Sequence, residues 1–321
     1  MTKISRNSSS ARAEIARLQS NIELVVKGKS EVVRNSLVCI LARGHLLLED
    51  VPGVGKTTLA HCIARSLNLS FSRIQFTSDM LPSDILGVTI FDQGRREFEF
   101  KAGPLFANVV LADEINRTTP KTQSALLEAM NSAQVSVEKR TYDLPQPFMV
   151  LATQNPLEFH GTFPLPKSQM DRFMMRIHLG YPDLEDEITV LREQRNPGSM
   201  DILEPVISGE EMLALQNEVD NVKVDESLLE YLARIVQVTR NTPQIVLGVS
   251  TRGALALRRA AQALAYFEGR DYCVPDDIKS MVQPVLAHRI LLQEGFDSGS
   301  HQYQHERRIL QDILEQVAVP L

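Results

Sequence analysis

The stretch EDVPGVGKTT (Glu49–Thr58) follows a short apolar run, HLLLE (His45–Glu49), and precedes a helical pattern that continues to about Leu67. A strand, a glycine-containing loop and a helix in this order are typical of a phosphate-binding loop, because backbone amides of the loop and of the helix N-terminus point at phosphate oxygens. Lys56 adds a positive charge, and the Thr57 hydroxyl can ligate Mg²⁺. The residues predicted to surround the phosphates are Asp50, Val51, Pro52, Gly53, Val54, Gly55, Lys56, Thr57 and Thr58.

This loop departs from the strict phosphate-loop pattern at its first position. The pattern places a glycine six residues before the lysine, and this chain has Asp50 there. Gly53 and Gly55 remain, so we expect the backbone to approach phosphate closely while the start of the loop tolerates a side chain. The alternative is a glycine-rich turn that merely opens a helix, but such a turn does not require Lys and Thr at this offset.

A second motif is a buried strand that ends in two acidic residues. The run VVLADE (Val109–Glu114) delivers two carboxylates to a strand end. Asp113 can hold Mg²⁺ directly or through water, and Glu114 can orient and deprotonate an attacking water. An acidic pair at a strand end can also simply cap a helix. The phosphate loop earlier in the same predicted sheet favours the catalytic interpretation.

Two further polar residues are candidates with open alternatives. In LATQNP (Leu151–Pro156), Asn155 could bind the γ-phosphate or the lytic water, although Asn before Pro is also a common turn. In QMDRF (Gln169–Phe173), Arg172 could reach a transferred phosphate from outside the subunit, or it could be a solvated surface arginine.

Composition restricts the class of protein. The 321 residues are 43% hydrophobic and 23% charged, which is typical of a folded chain long enough for two packed units. Residues 1–180 hold 21 Lys and Arg against 17 Asp and Glu, whereas residues 181–321 hold 13 against 23, and the net charge is −6. This acidic total does not favour general nucleic-acid binding.

Cysteine usage and hydropathy indicate the compartment. Three cysteines without a C-x-x-C motif favour neither disulfides nor zinc, and His301 with His305 lacks a carboxylate to complete a metal site. The longest charge-free stretch, residues 144–157, contains 14 residues and three prolines, too few to span a bilayer. We expect a cytoplasmic protein with no membrane span.

Periodicity divides the chain into segments. Two helical patterns precede the first strand, and from Asp183 onward the pattern is almost wholly helical, with candidates at 184–195, 209–220, 225–239, 252–268, 276–289 and 304–317. The predicted organisation is a polar lead-in at residues 1–20, an α/β nucleotide-binding domain at 21–182 and a smaller α-helical domain at 183–321.

These blocks, in this order, resemble those of AAA+ ATPases, and the segments between them resemble the MoxR family. The resemblance rests on four segments: RIQFTSDMLPSDILG (Arg73–Gly87), FEFKAGPLFANVVLADEINRTTPKTQSALLEAM (Phe98–Met130), LATQNPLEFHGTFPLPKSQMDRF (Leu151–Phe173) and STRGALALRRAAQAL (Ser250–Leu264).

The resemblance implies a role for individual residues. Lys56 and Thr57 correspond to the Walker A lysine and hydroxyl, and Asp113 and Glu114 to the Walker B pair. Further implied roles are sensor 1 for Asn155, an arginine finger completing a neighbour's site for Arg172, sensor 2 for Arg252, an inter-subunit contact for Arg117, adenine contacts for Val26 and Gly28, and coupling of site to substrate for Gln75.

The resemblance also implies an architecture and an activity. The family fold is an α/β P-loop core with a five-stranded parallel sheet, a smaller all-α lid and hairpins that face a ring pore, for which Ile90–Phe100 and Val135–Leu144 are candidates. The implied function is ATP hydrolysis by a homo-oligomeric ring, expected to be a hexamer, with chaperone-like remodelling or activation of a protein client. A von Willebrand factor A domain protein is an implied partner. The alternatives are an ATP-gated scaffold with negligible turnover and a DNA-remodelling AAA+ motor.

Overall fold

The N-terminal part of the chain is helical. The structure, a computed structural model, describes residues 8–138, 140–155, 161–193, 202–293 and 302–320. It begins with α1 (Ser8–Glu23) and α2 (Ser30–Leu41), which confirms the two helices expected before the first strand. Ile15, Leu18 and Ile22 repeat at helical spacing, and all three are buried. Residues 1–7 of the expected lead-in lie outside the described residues.

The α/β part alternates strands and helices. Its elements are β1 (Leu46–Glu49), α3 (Lys56–Ser66), β2 (Phe71–Gln75), α4 (Pro82–Leu86), β3 (Gly87–Asp92), β4 (Glu97–Ala102), β5 (Val109–Asp113), α5 (Pro120–Ser132), β6 (Gln134–Val137), β7 (Arg140–Asp143), β8 (Met149–Gln154), α6 (Lys167–Met170) and β9 (Met175–Ile177).

Five of these strands form a parallel sheet in the order β2-β5-β8-β1-β9, which confirms the five-stranded sheet that the family resemblance implies. Buried apolar residues supply the strands, as in β5, where every residue is buried. Because the strands are parallel, the chain leaves β1, β5 and β8 at one edge of the sheet. That edge therefore collects the glycine loop, the acidic pair and Asn155.

Two antiparallel hairpins extend from this core. β3 pairs with β4 from Gly87↔Ala102 to Asp92↔Glu97, and β6 pairs with β7 from Gln134↔Asp143 to Val137↔Arg140. Both hairpins lie where the sequence predicted them, and residue 139 of the second lies outside the described residues.

The C-terminal part is mainly helical, as predicted. Its elements are α7 (Leu184–Glu193), α8 (Gly209–Val219), α9 (Glu226–Asn241), β10 (Ile245–Leu247), α10 (Thr251–Phe267), α11 (Pro275–Leu286), β11 (Leu291–Leu292) and α12 (Gln302–Gln316). The end of the first predicted helix, residues 194 and 195, and His301 of the dismissed metal pair lie outside the described residues. Within the described ranges, no helix combines the length and the apolar composition needed to cross a bilayer.

The sheet separates two hydrophobic clusters. One joins α1, α2 and α3 to the C-terminal helices, through residues such as Ile22, Leu41 and Leu264. The other lies under α5 on the opposite face and includes Leu126, Leu127 and Phe173. The fold is thus an α/β core with a five-stranded parallel sheet, followed by a mainly helical part, as expected from the sequence.

Candidate nucleotide-binding site

The glycine loop has the backbone that a phosphate cradle requires. Gly53 and Gly55 have positive φ of 88° and 93°, a region that residues with a Cβ rarely adopt. A Cβ placed on either glycine meets no atom within 4 Å, so the space beside the loop is open. Gly55 directly precedes α3, whose first amides have no partner inside the helix. Open space beside such amides fits an anion of the size of a phosphate.

Lys56 lies across this loop. Its Nζ donates to the carbonyl oxygens of Asp50 (2.7 Å) and Val51 (3.3 Å). The ammonium is therefore already held at the loop, where the two carbonyl oxygens stabilise its positive charge. The position matches the role that the sequence predicts for this lysine.

Asp50 has a structural role that explains the departure from the strict loop pattern. Its carboxylate accepts hydrogen bonds from the backbone amides of Leu179 and Gly180, just after β9, and the side chain is buried. Asp50 is not among the residues with positive φ, so a glycine is not needed there. The side chain ties the start of the loop to the segment that follows the edge strand.

Both carboxylate oxygens of Asp113 have donors. The Thr153 hydroxyl donates to Oδ1 at 2.6 Å. Arg73, on β2, donates to Oδ2 through Nη2 (2.6 Å) and Nε (3.2 Å). Sequence reasoning missed Thr153 and Arg73, because neither lies in a motif that contains Asp113. Arg73 is paired with Leu111 on the neighbouring strand, two residues before Asp113, and this register places the guanidinium within reach of the Asp113 carboxylate.

Glu114 is held in a bent part of the chain. It has a φ of 56°, which is uncommon for a residue with a side chain, and its amide donates to Thr153 Oγ1 at 2.8 Å. Its Oε2 accepts from Gln75 Nε2 (2.8 Å) and Arg117 Nη1 (2.9 Å). The resemblance implied a contact with a neighbouring subunit for Arg117 and coupling of site to substrate for Gln75; here both orient the candidate base of their own chain, and Arg117 also neutralises it.

Asn155 directly follows β8 and is buried. Since β8 lies between β5 and β1, this position is at the same sheet edge as the acidic pair and the glycine loop. The structure therefore brings the predicted Walker A, Walker B and sensor 1 positions to one edge.

The two candidate arginines make their contacts outside the loop. Arg172 is half-buried, and its Nη1 donates to the Leu127 carbonyl of α5 at 2.6 Å. Arg252 is exposed in the first turn of α10. In the part of the chain that the structure describes, no hydrogen bond or ion pair joins either arginine to residues 50–58.

A hydrogen bond that the sequence did not indicate connects Asp171, next to Arg172, with Ser250, two residues before Arg252. Asp171 accepts from Ser250 Oγ at 3.0 Å, and Ser250 caps α10. Asp171 also accepts from Arg289 Nε at 2.7 Å. Burial lowers the pKa of Arg289 to about 10. A Cβ on Gly253 would lie 2.9 Å from Arg289 Cδ, so the glycine allows α10 to pack closely there.

Of the two predicted adenine contacts, Gly28 lies against the start of α7. Val26 is buried, and Gly28 has a φ of 64°. The Asp186 carboxylate occupies the space that a Cβ of Gly28 would take, with Oδ2 only 1.6 Å from that point. A side chain at position 28 would displace the Asp186 carboxylate, and the positive φ favours glycine there, while the contact of Gly28 with adenine stays a prediction.

The donor set fits Mg²⁺ held together with a nucleotide. Mg²⁺ is usually bound by one or two protein oxygens, with phosphates and water completing its shell. Thr57 and Asp113 supply one hydroxyl and one carboxylate. No group of three or more His, Cys, Asp or Glu side chains in the described ranges forms a metal cage by itself.

All three cysteines are buried free thiols. Burial raises the pKa of Cys62 and Cys273 to about 12, and it raises the pKa of Cys39 as well. The thiols are therefore protonated at neutral pH, and since the thiolate is the nucleophilic form, none of the three is a candidate nucleophile.

Comparison with known proteins gives the same assignment. Residues 45–175 match the family described as "ATPase family associated with various cellular activities (AAA)", and residues 237–313 match the AAA lid domain. The chain is 47% identical to the uncharacterized protein YeaC of Bacillus subtilis, over 94% of this chain and 93% of that protein.

Two further relatives cover nearly the whole chain. It is 39% identical to Chaperone MoxR1 of Mycobacterium tuberculosis, over 93% of this chain and 80% of that protein. A crystal structure of a Cytophaga hutchinsonii protein described as an ATPase superposes with a TM-score of 0.90 at 41% identity, covering 98% of this chain and 97% of that one. The chain therefore belongs to the MoxR family of AAA+ ATPases.

Proposed function

We propose that the chain binds ATP and Mg²⁺ at residues 50–58 and couples ATP hydrolysis to chaperone-like remodelling or activation of a protein client. The observation that carries the proposal is the convergence of three strand ends. The open glycine loop after β1, the acidic pair at the end of β5 and Asn155 after β8 share one sheet edge.

In this proposal each residue has a chemical task. Lys56 and the amides at the start of α3 bind the β- and γ-phosphates, and Thr57 and Asp113 hold Mg²⁺, which neutralises charge on the phosphates. Asn155 orients the attacking water, and Glu114 accepts its proton. Gln75 and Arg117 both donate to Glu114 Oε2 and so orient the carboxylate, and no donor among the described residues reaches Oε1, the oxygen that we propose accepts the proton.

We further propose a ring with its sites at subunit interfaces. Arg172 would stabilise the charge on the phosphate bound by the adjacent subunit, and Arg252 would contact the nucleotide of its own subunit from the lid. Among the described residues neither arginine has a hydrogen bond or ion pair with its own loop, as expected for roles that need a second subunit or a lid movement. A hexamer, with a core at residues 21–182 and a lid at 183–321, is the arrangement we propose.

The partners follow from relatives and from surface chemistry. The name Chaperone MoxR1 supports a protein client. A von Willebrand factor A domain protein is the partner that we propose from the family resemblance alone. The β3–β4 hairpin exposes Phe91 and Phe98, whose rings pack edge to face with centroids 5.2 Å apart. This exposed aromatic pair is suited to apolar segments of a client.

Steady-state phosphate release at rising protein concentration tests the proposal. Turnover per subunit that climbs with concentration supports a ring enzyme, whereas ATP binding with negligible turnover at every concentration supports an ATP-gated scaffold. Stimulation of ATPase activity by DNA would instead support the DNA-remodelling alternative. A pull-down from cell extract with Glu114→Gln and ATP would then isolate the client as a trapped complex.

A further inference from the structure

Arg73 is the positively charged group in closest contact with the candidate magnesium ligand. It lies on β2, two residues before Gln75, and Gln75 is in register with Asp113. Residues two apart in a strand share a face, so both side chains reach across to the acidic pair on β5. Two guanidinium nitrogens of Arg73 donate to the same oxygen, Asp113 Oδ2.

The contact is positioned to compete with a cation. Oδ1 of Asp113 is taken by the Thr153 hydroxyl, and Oδ2 by the guanidinium. Magnesium bound at this carboxylate, directly or through water, would lie beside one of these donors, and at Oδ2 it would meet the like charge of the guanidinium. Thr153 is fully buried, whereas the Arg73 side chain is 49% exposed. The arginine can therefore move into solvent without disturbing the core, while the threonine cannot.

We propose that Arg73 is a positioning residue that holds Asp113 before the metal binds and is displaced by Mg²⁺, so that it sets the Mg²⁺ concentration at which nucleotide binds. This inference rests on the proposed function. A buried carboxylate without a positive partner is costly, and Arg73 supplies that partner until the metal does. Repulsion between the guanidinium and the divalent ion favours the exchange.

Titration with Mg²⁺ at fixed ADP tests the exchange. The amount of ADP bound is measured by calorimetry at a series of Mg²⁺ concentrations, and the Mg²⁺ midpoint is the concentration at which half of the maximal binding is reached. The parent chain is compared with Arg73→Gln, Arg73→Lys and Arg95→Gln. We expect the Mg²⁺ midpoint to fall about threefold to tenfold in Arg73→Gln, the size of effect expected for a half-exposed ion pair with a two-nitrogen contact. Arg73→Lys should give a smaller shift, because it keeps the charge without the two-nitrogen contact. Arg95→Gln removes an exposed arginine from the β3–β4 turn and should give no shift.

Thermal unfolding with and without Mg²⁺ and ADP distinguishes an ion pair that is exchanged for the metal from a permanent one. Without metal, Arg73→Gln should have a lower Tm than the parent, since Asp113 loses its positive partner. With saturating Mg²⁺ and ADP the difference should disappear, because Arg73 no longer contacts Asp113 in either protein. If Arg73→Gln does not fold well enough for measurement, Arg73→Lys carries the same comparison.

Two results would overturn the inference. An unchanged Mg²⁺ midpoint together with a Tm deficit that persists in Mg²⁺ and ADP would mean that the ion pair is permanent. Weaker ADP binding at saturating Mg²⁺, with no fall in the midpoint, would mean that Arg73 binds phosphate. If the parent itself binds no ADP at any Mg²⁺ concentration, the proposed function fails, and this inference fails with it.

Discussion

Thr153 Oγ1 lies 2.6 Å from Asp113 Oδ1, and the same hydroxyl accepts the Glu114 amide at 2.8 Å. One buried side chain on β8 therefore holds the carboxylate of Asp113 and the backbone of Glu114 at the end of β5. Removing the hydroxyl leaves an unpaired carboxylate oxygen and an unpaired amide, and leaving a buried polar group unpaired costs about 1–3 kcal/mol.

Thr153→Val should accordingly lower both stability and catalysis. We expect kcat to fall at least about tenfold, because the general base and the metal ligand lose their shared support. Thr153→Ser is the matched control, since it keeps the hydroxyl and removes only a methyl group, and it should retain most of the activity. Equal kcat values for Thr153→Val and Thr153→Ser would show that the hydroxyl does not position Asp113 and Glu114.

Lys56→Ala should abolish nucleotide binding. The ammonium lies against the carbonyls of Asp50 and Val51 at the mouth of the open loop, and no other side chain in the loop is positively charged. Calorimetry with ATP and Mg²⁺ measures the loss. Lys101→Ala on the exposed β4 strand removes an equal charge and should bind normally. Unchanged affinity in Lys56→Ala would contradict the phosphate-loop assignment.

Glu114→Gln should separate binding from hydrolysis. Glutamine keeps the shape of the side chain and can still accept from Gln75, but it cannot take a proton from water, so we expect kcat to fall about 10²–10⁴-fold with ATP affinity retained. Single-turnover kinetics would show bound ATP that is not cleaved. Glu97→Gln on the exposed hairpin provides the control, and a parental rate in Glu114→Gln would exclude it as the base.

Local patterns in the sequence predicted most of the elements. The strand–loop–helix order at Glu49–Thr58 and the helices after Asp183 depend on spacing along the chain, and the structure has both. The strand β9 was not predicted, since its three residues, Met175–Ile177, are too short a run to show a period. The short strands β10 and β11 escaped prediction for the same reason.

Contacts between distant residues could not be predicted. Thr153 and Arg73 are each 40 residues from Asp113, and Arg289 is 118 residues from Asp171. No local pattern records such pairs, because the sheet order and the packing of the lid create them. The sequence marked Asp50 as a departure from the loop pattern, but its bonds to the residues after β9 became apparent only with the fold.

Mixing inactive variants tests the proposed role of Arg172. Arg172→Ala should be inactive because each site lacks its neighbour's arginine, and Lys56→Ala because each subunit lacks nucleotide. A mixture should regain partial activity, since some interfaces combine an intact loop with an intact arginine. Lys56→Ala mixed with Glu114→Gln is the matched control, because both changes damage a subunit's own site and cannot complement. Failure of every mixture with Arg172→Ala would contradict a role in the neighbouring site.

His45 should make stability depend on pH. Its ring is buried, with Nε2–H donating to the Met130 carbonyl (2.9 Å) and Nδ1 accepting the Val150 amide (3.0 Å). Burial lowers the pKa of His45 to about 4, from an ordinary value of 6.5. The neutral ring is therefore favoured by the fold. Its contribution is complete above pH 6.5 and is lost as the pH falls towards 4, by up to about 3 kcal/mol.

Urea unfolding between pH 7 and pH 4.5 measures this loss. In His45→Gln, the amide can still donate to Met130 and accept from Val150, but it does not titrate, so the unfolding free energy should fall less steeply with pH than in the parent. Part of the slope should remain, because burial and the charge of Arg176 also lower the pKa of His178 to about 4. Identical slopes for the two proteins would show that His45 takes up its proton equally well in the folded and unfolded chain.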